Sequence, residues 1–483
     1  MSDPLHERDA AAAALDLVAR AAGPYLAGLA ERPVHDHSRD GLLEELGGPL
    51  PEHGDGAVRS VERLLRVGTE AATHSSGPRF FHFVVGGSTP AAMAGDWTAS
   101  LLDQAAGLWL TSPLAARAET VVLDWLKDLF GLPASFGGVL TPSATLAHVA
   151  GLAAARSWWA GRHGVDVAAQ GLAGLPQMPV LSSGLVHVST RKALQILGCG
   201  RDTLRTFARD DTGRVDLPAL AAALEGLDGA PAVIVGNLGE VNTGAADPLD
   251  ELADLAERFG AWLHVDGAFG LFTALSPRTA YLAEGVERAD SVTADGHKWL
   301  NVPYESGFSF VRDPEALARA FGAWGAAYLP GGDDGRVNYN MLGPESSRRA
   351  RALPIWATLR AYGRRGHREM VERHLEVSAH LGSLVDRAPD LELLAPVQMC
   401  VVCFRYRPDG VAEEDLDALN ARLGEALLAD GRVYAGTSTY RGMTVFRPAA
   451  LNWRTTREDV ELLVEVLREL GARLTARTGP VEP

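Results

Sequence analysis

Between Pro231 and Asp266 the chain reads strand, helix, strand, and this unit limits the possible folds more than any other stretch. Ala232–Asn237 is a short apolar run rich in β-branched residues. Asp247-Pro248 then opens a helix, with Asp as N-cap and Pro in the first turn. Leu249, Leu252, Leu255, Ala256 and Phe259 supply its apolar face, and Gly260 ends it. Trp262–Val265 is a second apolar strand. A crossover helix of this length returns the chain to the end of the sheet where it began, so the two strands run parallel. A parallel sheet is covered on both faces, which makes this an α/β domain. Further strands are expected at Leu185–Val188, Ser291–Thr293 and Phe308–Val311.

Three parts follow from the pattern. Residues 1–89 read as a helical segment, with Leu15, Val18, Leu26 and Leu29 near helical spacing and breaks at Gly47–Pro51 and Gly86–Pro90. Lacking strands of its own, it needs another surface to cover, such as the next domain or a partner subunit. Residues 90–362 form the alternating α/β domain. Residues 363–483 form a small α+β domain: a helix over Glu369–Arg387, a strand over Val397–Tyr406, a helix over Glu414–Leu428, two strands around Arg441-Gly442 and a last helix from Thr456.

Composition removes several classes of function. The 483 residues carry 45 Lys and Arg against 61 Asp and Glu, a net charge of −16. Nucleic acid and anionic membranes are therefore poor partners, since phosphate contacts need clustered cations. The N-terminus is acidic and Ala-rich, unlike a signal or transit peptide. The longest uncharged run, between Asp128 and Arg156, is broken by Pro133, Pro142 and His148 and does not read as a membrane span. Only three Cys are present, which points to a reducing compartment, the cytoplasm. The Ala, Gly and Arg bias suggests a GC-rich bacterial genome.

Four short stretches carry chemistry. In Ser291-Val-Thr-Ala-Asp295-Gly-His297-Lys298-Trp299, a lysine follows an apolar strand beside a histidine. Desolvation or a neighbouring cation can lower a lysine's pKa and make it a nucleophile, although a surface lysine at a strand end looks the same. In His264-Val-Asp266-Gly-Ala268, a carboxylate ends a buried parallel strand, at the edge where open α/β sheets bind ligands. It needs a cationic partner there, and a protonated pyridine nitrogen would serve. A metal held by His264 and Asp266 is the rival, without a third ligand nearby in the sequence. In Thr141-Pro-Ser143-Ala144-Thr145, running into the helix with His148, small hydroxyl residues at a helix N-terminus suit an anion, or act as plain caps. In Val186-His187-Val188-Ser189, a strand-end imidazole could stack on a flat ring or merely line a rim. An anion cradle, a ring platform, a carboxylate and a lysine are together the handles needed to hold pyridoxal phosphate (PLP). No metal is called for.

These residues resemble the group II PLP-dependent amino-acid decarboxylases, which include aromatic-L-amino-acid, glutamate and histidine decarboxylases. The likeness runs from about Pro78 to Gly363. It rests on Ala289-Asp-Ser-Val with His297-Lys298-Trp-Leu, on His264-Val-Asp266, on Thr243-Gly-Ala-Ala-Asp247-Pro and on Ser347–Trp356. The resemblance implies fold type I, with a mostly parallel seven-stranded sheet between helices, and a homodimer whose active sites lie at the subunit interface. It implies that Lys298 forms the Schiff base with PLP, His187 stacks on the ring, Asp266 pairs with the ring nitrogen and Ala268 packs beneath. Ser143, Ala144 and Thr145 would hold the phosphate, with His297 beside the lysine. Tyr339, reached by counting back from Arg348-Arg349, matches the catalytic-loop Tyr that returns a proton after CO2 loss. The Gly- and Asp-rich stretch from Gly331 to Tyr339 should accordingly be a mobile loop.

The departures from the family pattern are specific. Ser143-Ala144 stands where Gly-Gly or Ala-Ala is usual, Leu146 replaces a Glu, and Glu240 occupies the place of a Thr. Phe80-Phe81-His82-Phe83-Val-Val-Gly-Gly does not match the aromatic decarboxylases, so no substrate is carried over. Cys400-Val-Val-Cys403 has the CxxC form but no second pair, and core packing explains it better than zinc. The function expected is decarboxylation of an L-amino acid to its amine. Aldehyde formation, transamination or C–C lysis on the same cofactor is the alternative, and a catalytically silent partner subunit is a more distant one.

Overall fold

The computed structural model describes residues 3–322 and 336–476. Seven short segments become the strands β1 (Gly137–Thr141), β2 (Val180–Ser182), β3 (Leu204–Thr206), β4 (Val233–Asn237), β5 (Trp262–Asp266), β6 (Ser291–Asp295) and β7 (Gly307–Val311). They form one sheet in the order β1-β7-β6-β5-β4-β2-β3. β3, β2, β4, β5 and β6 are mutually parallel along that order, and β7 alone runs against both its neighbours. β4, β5, β6 and β7 are buried at every position, as strands covered on both faces are. Helices Ala144–Arg162 and Leu249–Phe259 are among those that cover the sheet.

The β4–helix–β5 unit stands where the sequence put it, but its cap differs. Pro248 takes the N-cap position, and Asp247 turns inward to accept from the Asn237 backbone N–H and amide and from Ser183 Oγ, each at 2.8 Å. The strand expected at Leu185–Val188 is absent. The chain leaves the sheet after Ser182, turns at Gly184, where a Cβ would lie 2.8 Å from Gly213, and enters helix Val188–Ile196 with His187 as its cap. Alternating Leu-Val-His-Val mimics a strand, but the Ser189 and Thr190 that follow belong to a helix start.

The second sheet is antiparallel, in the order β10-β11-β9-β8. Its strands are β8 (Leu391–Leu393), β9 (Phe404–Tyr406), β10 (Thr437–Tyr440) and β11 (Met443–Phe446). Arg441 and Gly442 both have positive φ, 53° and 78°, as a two-residue hairpin turn requires. Of the expected strand Val397–Tyr406 only the last three residues join a ladder; Cys400 and Cys403 are buried and unpaired. The expected helix at Glu369 starts much earlier. It runs Ala352–Arg387 and bends at Gly363, whose φ of 58° breaks the helical path. Thus the proposed boundary at 362/363 falls within one bent helix. Among the described residues no helix is long and apolar enough to cross a membrane.

Candidate active site

Asp266 ends β5, Asp295 ends the neighbouring β6, and both open onto the carboxyl edge of the parallel strands. After Asp295 the chain makes a tight π turn, Gly296–Leu300. Within it Lys298 has φ −83° and ψ −105°, outside the helical region. This turn is braced from the N-terminal segment. Gly86 N–H donates to the His297 carbonyl at 2.9 Å, Gly87 N–H to Asn301 Oδ1 at 2.9 Å and Thr89 N–H to the Asn301 carbonyl at 2.9 Å. A Cβ on Gly86 would collide with the Lys298 carbonyl. Lys298 Nζ makes no hydrogen bond among the described residues and lies 5.6 Å from the centroid of the Phe269 ring.

Helix Ala144–Arg162 begins directly after β1, and its first turn points at the same edge. Ser143 Oγ caps Leu146 N–H, and Ala144 N–H donates to Asp295 Oδ2 at 2.7 Å. Thr145 is left with an unpartnered N–H and hydroxyl among the described residues. Of the three expected phosphate contacts, then, Ala144 already spends its N–H on Asp295, and Thr145 holds the open donors. Burial pushes the Asp295 carboxyl up to about 6, against the opposing pull of Lys298.

Asp266 behaves oppositely. Desolvation would raise its pKa, yet His148, His187 and Lys298 together hold it well below the carboxylate range. Its Oδ1 accepts from Ala268 N–H at 3.1 Å and its Oδ2 lies 3.3 Å from His148 Nε2. His187 is exposed in the protomer. Its Nδ1 accepts from Ser189 N–H at 3.3 Å, which leaves Nε2 as the protonated nitrogen. Desolvation lowers its pKa, opposed by Asp266. His297 is pushed down to about 3 by burial and by the Lys298 charge, and its ring packs 4.3 Å from that of Tyr304. The structure thus brings Lys298, Asp266, His187, His297, Ala268 and the 143–145 turn to one edge.

The placement of Tyr339 differs from the mobile loop expected of it: it sits in a short 3-10 turn, Tyr339–Met341, and is only 3 % exposed. Its hydroxyl meets Thr120 Oγ1 at 2.9 Å, and the Arg348 guanidinium lies 5.4 Å from its ring centroid. Arg348 in turn makes a buried two-pronged ion pair with Glu119, at 2.7 and 3.0 Å. The count back from Arg348 led to a residue that packs beneath that arginine. Gly331–Gly335 lie outside the described residues. Two further residues of the site were missed: Asp295 and His148. Each was detectable only by position, one three residues before Lys298 and the other a turn beyond Thr145.

The pyridoxal-dependent decarboxylase conserved domain matches residues 51–407. The chain belongs to that family. This decarboxylase is 27% identical over 455 residues to the aromatic-L-amino-acid decarboxylase of Bacillus atrophaeus, covering 92% of each chain. It is 26% identical over 468 residues to the phenylacetaldehyde synthase of Petunia hybrida, with 92% of this chain and 90% of that one covered. The crystal structure of Oryza sativa TDC with PLP and tryptamine superposes with a TM-score of 0.90 at 26% identity, covering 98% of this chain and 100% of that one. The decarboxylase is thus a PLP-dependent carboxy-lyase of fold type I. Its residues fit the cofactor: among the described residues, open donors at a helix N-terminus for a phosphate, an ionised buried carboxylate for a ring nitrogen and a lysine amine without a hydrogen bond. The metal alternative gains a third side chain, His148, but gives no cluster. The nitrogens of His148 and His264 are strung along a line of polar contacts instead of converging on a point.

Proposed function

We propose that the enzyme removes the carboxylate of an L-amino acid as CO2 and releases the amine, with Lys298 holding the cofactor covalently. The observation that carries this reading is the Asp266 carboxylate, buried yet kept ionised at the end of the strand beside the lysine turn. Pyridoxal phosphate supplies, when bound there, a ring that takes up the electron pair left as CO2 departs. Asp266 would keep the ring nitrogen protonated. Ser143 and Thr145 would take the phosphate, with Ala144 fixing the turn through Asp295. His187 would cover one face of the ring and Ala268 the other. His297, neutral beside Lys298, can orient a substrate oxygen without adding charge.

Exposed apolar side chains support a homodimer. Leu15 is 59 % exposed, Trp97 43 % and Leu101 72 %, and with Val18 and Ala19 they line a cavity of about 680 Å³. A patch of this kind on a charged protein fits a second copy. Sedimentation equilibrium would settle the mass. Three unpaired cysteines support a reducing compartment, the cytoplasm.

A second reading, oxidative decarboxylation and deamination of the amino acid by dioxygen and water to an aldehyde, CO2, ammonia and hydrogen peroxide, gains from the burial of Tyr339. The phenol that was to protonate the carbon is committed to Thr120. The test is to incubate PLP-loaded protein with each proteinogenic amino acid and follow amine, CO2, aldehyde and ammonia. Amine with CO2 is expected, and Lys298→Ala should abolish it. Aldehyde and ammonia without amine would hand the function to the second reading.

A further inference from the structure

Behind Asp266 runs a buried chain of hydrogen bonds. Trp262 Nε1–H donates to Ser291 Oγ at 2.9 Å, Ser291 Oγ lies 2.8 Å from His264 Nδ1, and His264 Nε2 lies 2.9 Å from His148 Nδ1. His148 Nε2 ends the chain at ion-pair distance from Asp266, 3.3 Å from Oδ2, without reaching hydrogen-bond geometry among the described residues. His148, His264 and Ser291 have no exposed surface, and Trp262 is 5 % exposed. The helix interior makes room for this chain. Gly151 presses against His264, where an added Cβ would stand 3.0 Å from Cε1 and 3.1 Å from Nδ1.

The chain has a direction. An indole nitrogen can only donate, so Ser291 Oγ must accept from Trp262. Among the described residues the serine hydroxyl then has one place to send its own proton, His264 Nδ1. His264 must carry its proton on Nε2 and donate it to His148 Nδ1, and His148 must carry its proton on Nε2, toward Asp266. Burial pushes His264 down to about 3, in keeping with a neutral ring. The reverse polarity would have both Trp262 and His264 donate to Ser291, stranding the serine proton without an acceptor in a buried site.

We propose that His148 is a positioning residue: it passes to Asp266 the donor polarity set by Trp262, so that Asp266 meets the cofactor as an ionised acceptor and never as a proton donor. This rests on the reading of Asp266 as the partner of the ring nitrogen. The chain is also a means of fixing which ring nitrogen of each histidine faces which neighbour, an arrangement that supporting partners commonly impose on functional side chains.

Imidazole ¹⁵N spectra of the full chain without cofactor test the polarity directly. Protonated Nε2 and bare Nδ1 are expected on both His148 and His264, and a proton on Nδ1 of His148 overturns the proposal. Trp262→Phe, close in size, should let the two tautomers mix; unchanged single tautomers would also overturn it. PLP binding is then read by titration. His148→Leu should weaken it on the order of tenfold or more. His148→Gln, which keeps one acceptor and one donor, should recover most of that loss. Equal loss in both variants would mean that His148 is mere filling. The two readings fail separately: if Asp266→Asn binds PLP unchanged, the role of Asp266 falls, whereas the apo spectra judge the relay alone.

Discussion

Asp295 accepts the Ala144 backbone N–H at 2.7 Å and so ties the strand that leads to Lys298 to the first turn of the helix that would hold a phosphate. It and Asp247 are the two buried acids pushed up to about 6, both chiefly by desolvation. Between roughly pH 4 and pH 6 the folded chain holds protons on these two groups that the unfolded chain releases. Their contribution to stability is therefore lost as pH rises through that window. For Asp247 the loss is at most about 3 kcal/mol. Asp247→Asn should remove its share. Urea unfolding of the apo protein at pH 4.5 and pH 7 should give a difference between wild type and variant that favours the variant more at pH 7. An equal difference at both pH values would mean that Asp247 is ionised throughout.

Asp266→Asn removes the negative charge that faces His148, His187 and Lys298. A broken buried pair costs on the order of 3–5 kcal/mol, so PLP affinity should fall by at least about 10²-fold, with the rate falling as well. Titration of apo variant with PLP measures the first and amine release the second. Unchanged affinity would take Asp266 out of the site.

Tyr339→Phe now separates structure from chemistry. Its hydroxyl pairs with Thr120 inside the core, and losing one such hydrogen bond costs about 1 kcal/mol. A modest drop in melting temperature with amine formation nearly unchanged is expected. A fall in rate of about 10²-fold or more, the size of a lost general acid, would return Tyr339 to the catalytic role that the family resemblance implies.

Glu119→Gln should be far more damaging than its distance from the chemistry suggests. Glu119 holds both prongs of Arg348 and accepts the Leu140 N–H on β1 at 2.9 Å. Leaving Arg348 buried without its counter-charge costs about 3–5 kcal/mol. Urea denaturation should show this as a lower midpoint. A change below about 1 kcal/mol would mean that the pair is replaceable by neutral contacts.

How much of this was legible in the sequence differs by element. β4, β5 and β6 were readable because strands buried on both faces are short and rich in apolar and β-branched residues, and Asp266 and Lys298 were readable because they stand at or just past the ends of such strands. Leu185–Val188 misled because four residues of alternation do not distinguish a strand from the approach to a helix. His187 reached its place as a cap nonetheless. His148 was not readable as a partner of Asp266, since the two are more than a hundred residues apart and meet only once the helix lies on the sheet. The burial of Tyr339 was unreadable for a similar reason: a count along the chain fixes a position in sequence, while burial under Arg348 depends on Glu119 from another helix.

The contact of Gly86 with the lysine turn has a kinetic consequence. The site needs Gly86, Thr145, Asp266 and Lys298 at one place, and nothing local in the sequence brings any two of them together. A nascent chain that has not yet passed Asn301 has no lysine turn for Gly86 and Gly87 to brace. On the reading proposed above, cofactor capture would therefore be a late event in the life of this polypeptide, after long loops have closed, and would belong to the slow class of folding steps dominated by distant contacts. PLP would then reward the finished large domain and not seed its condensation.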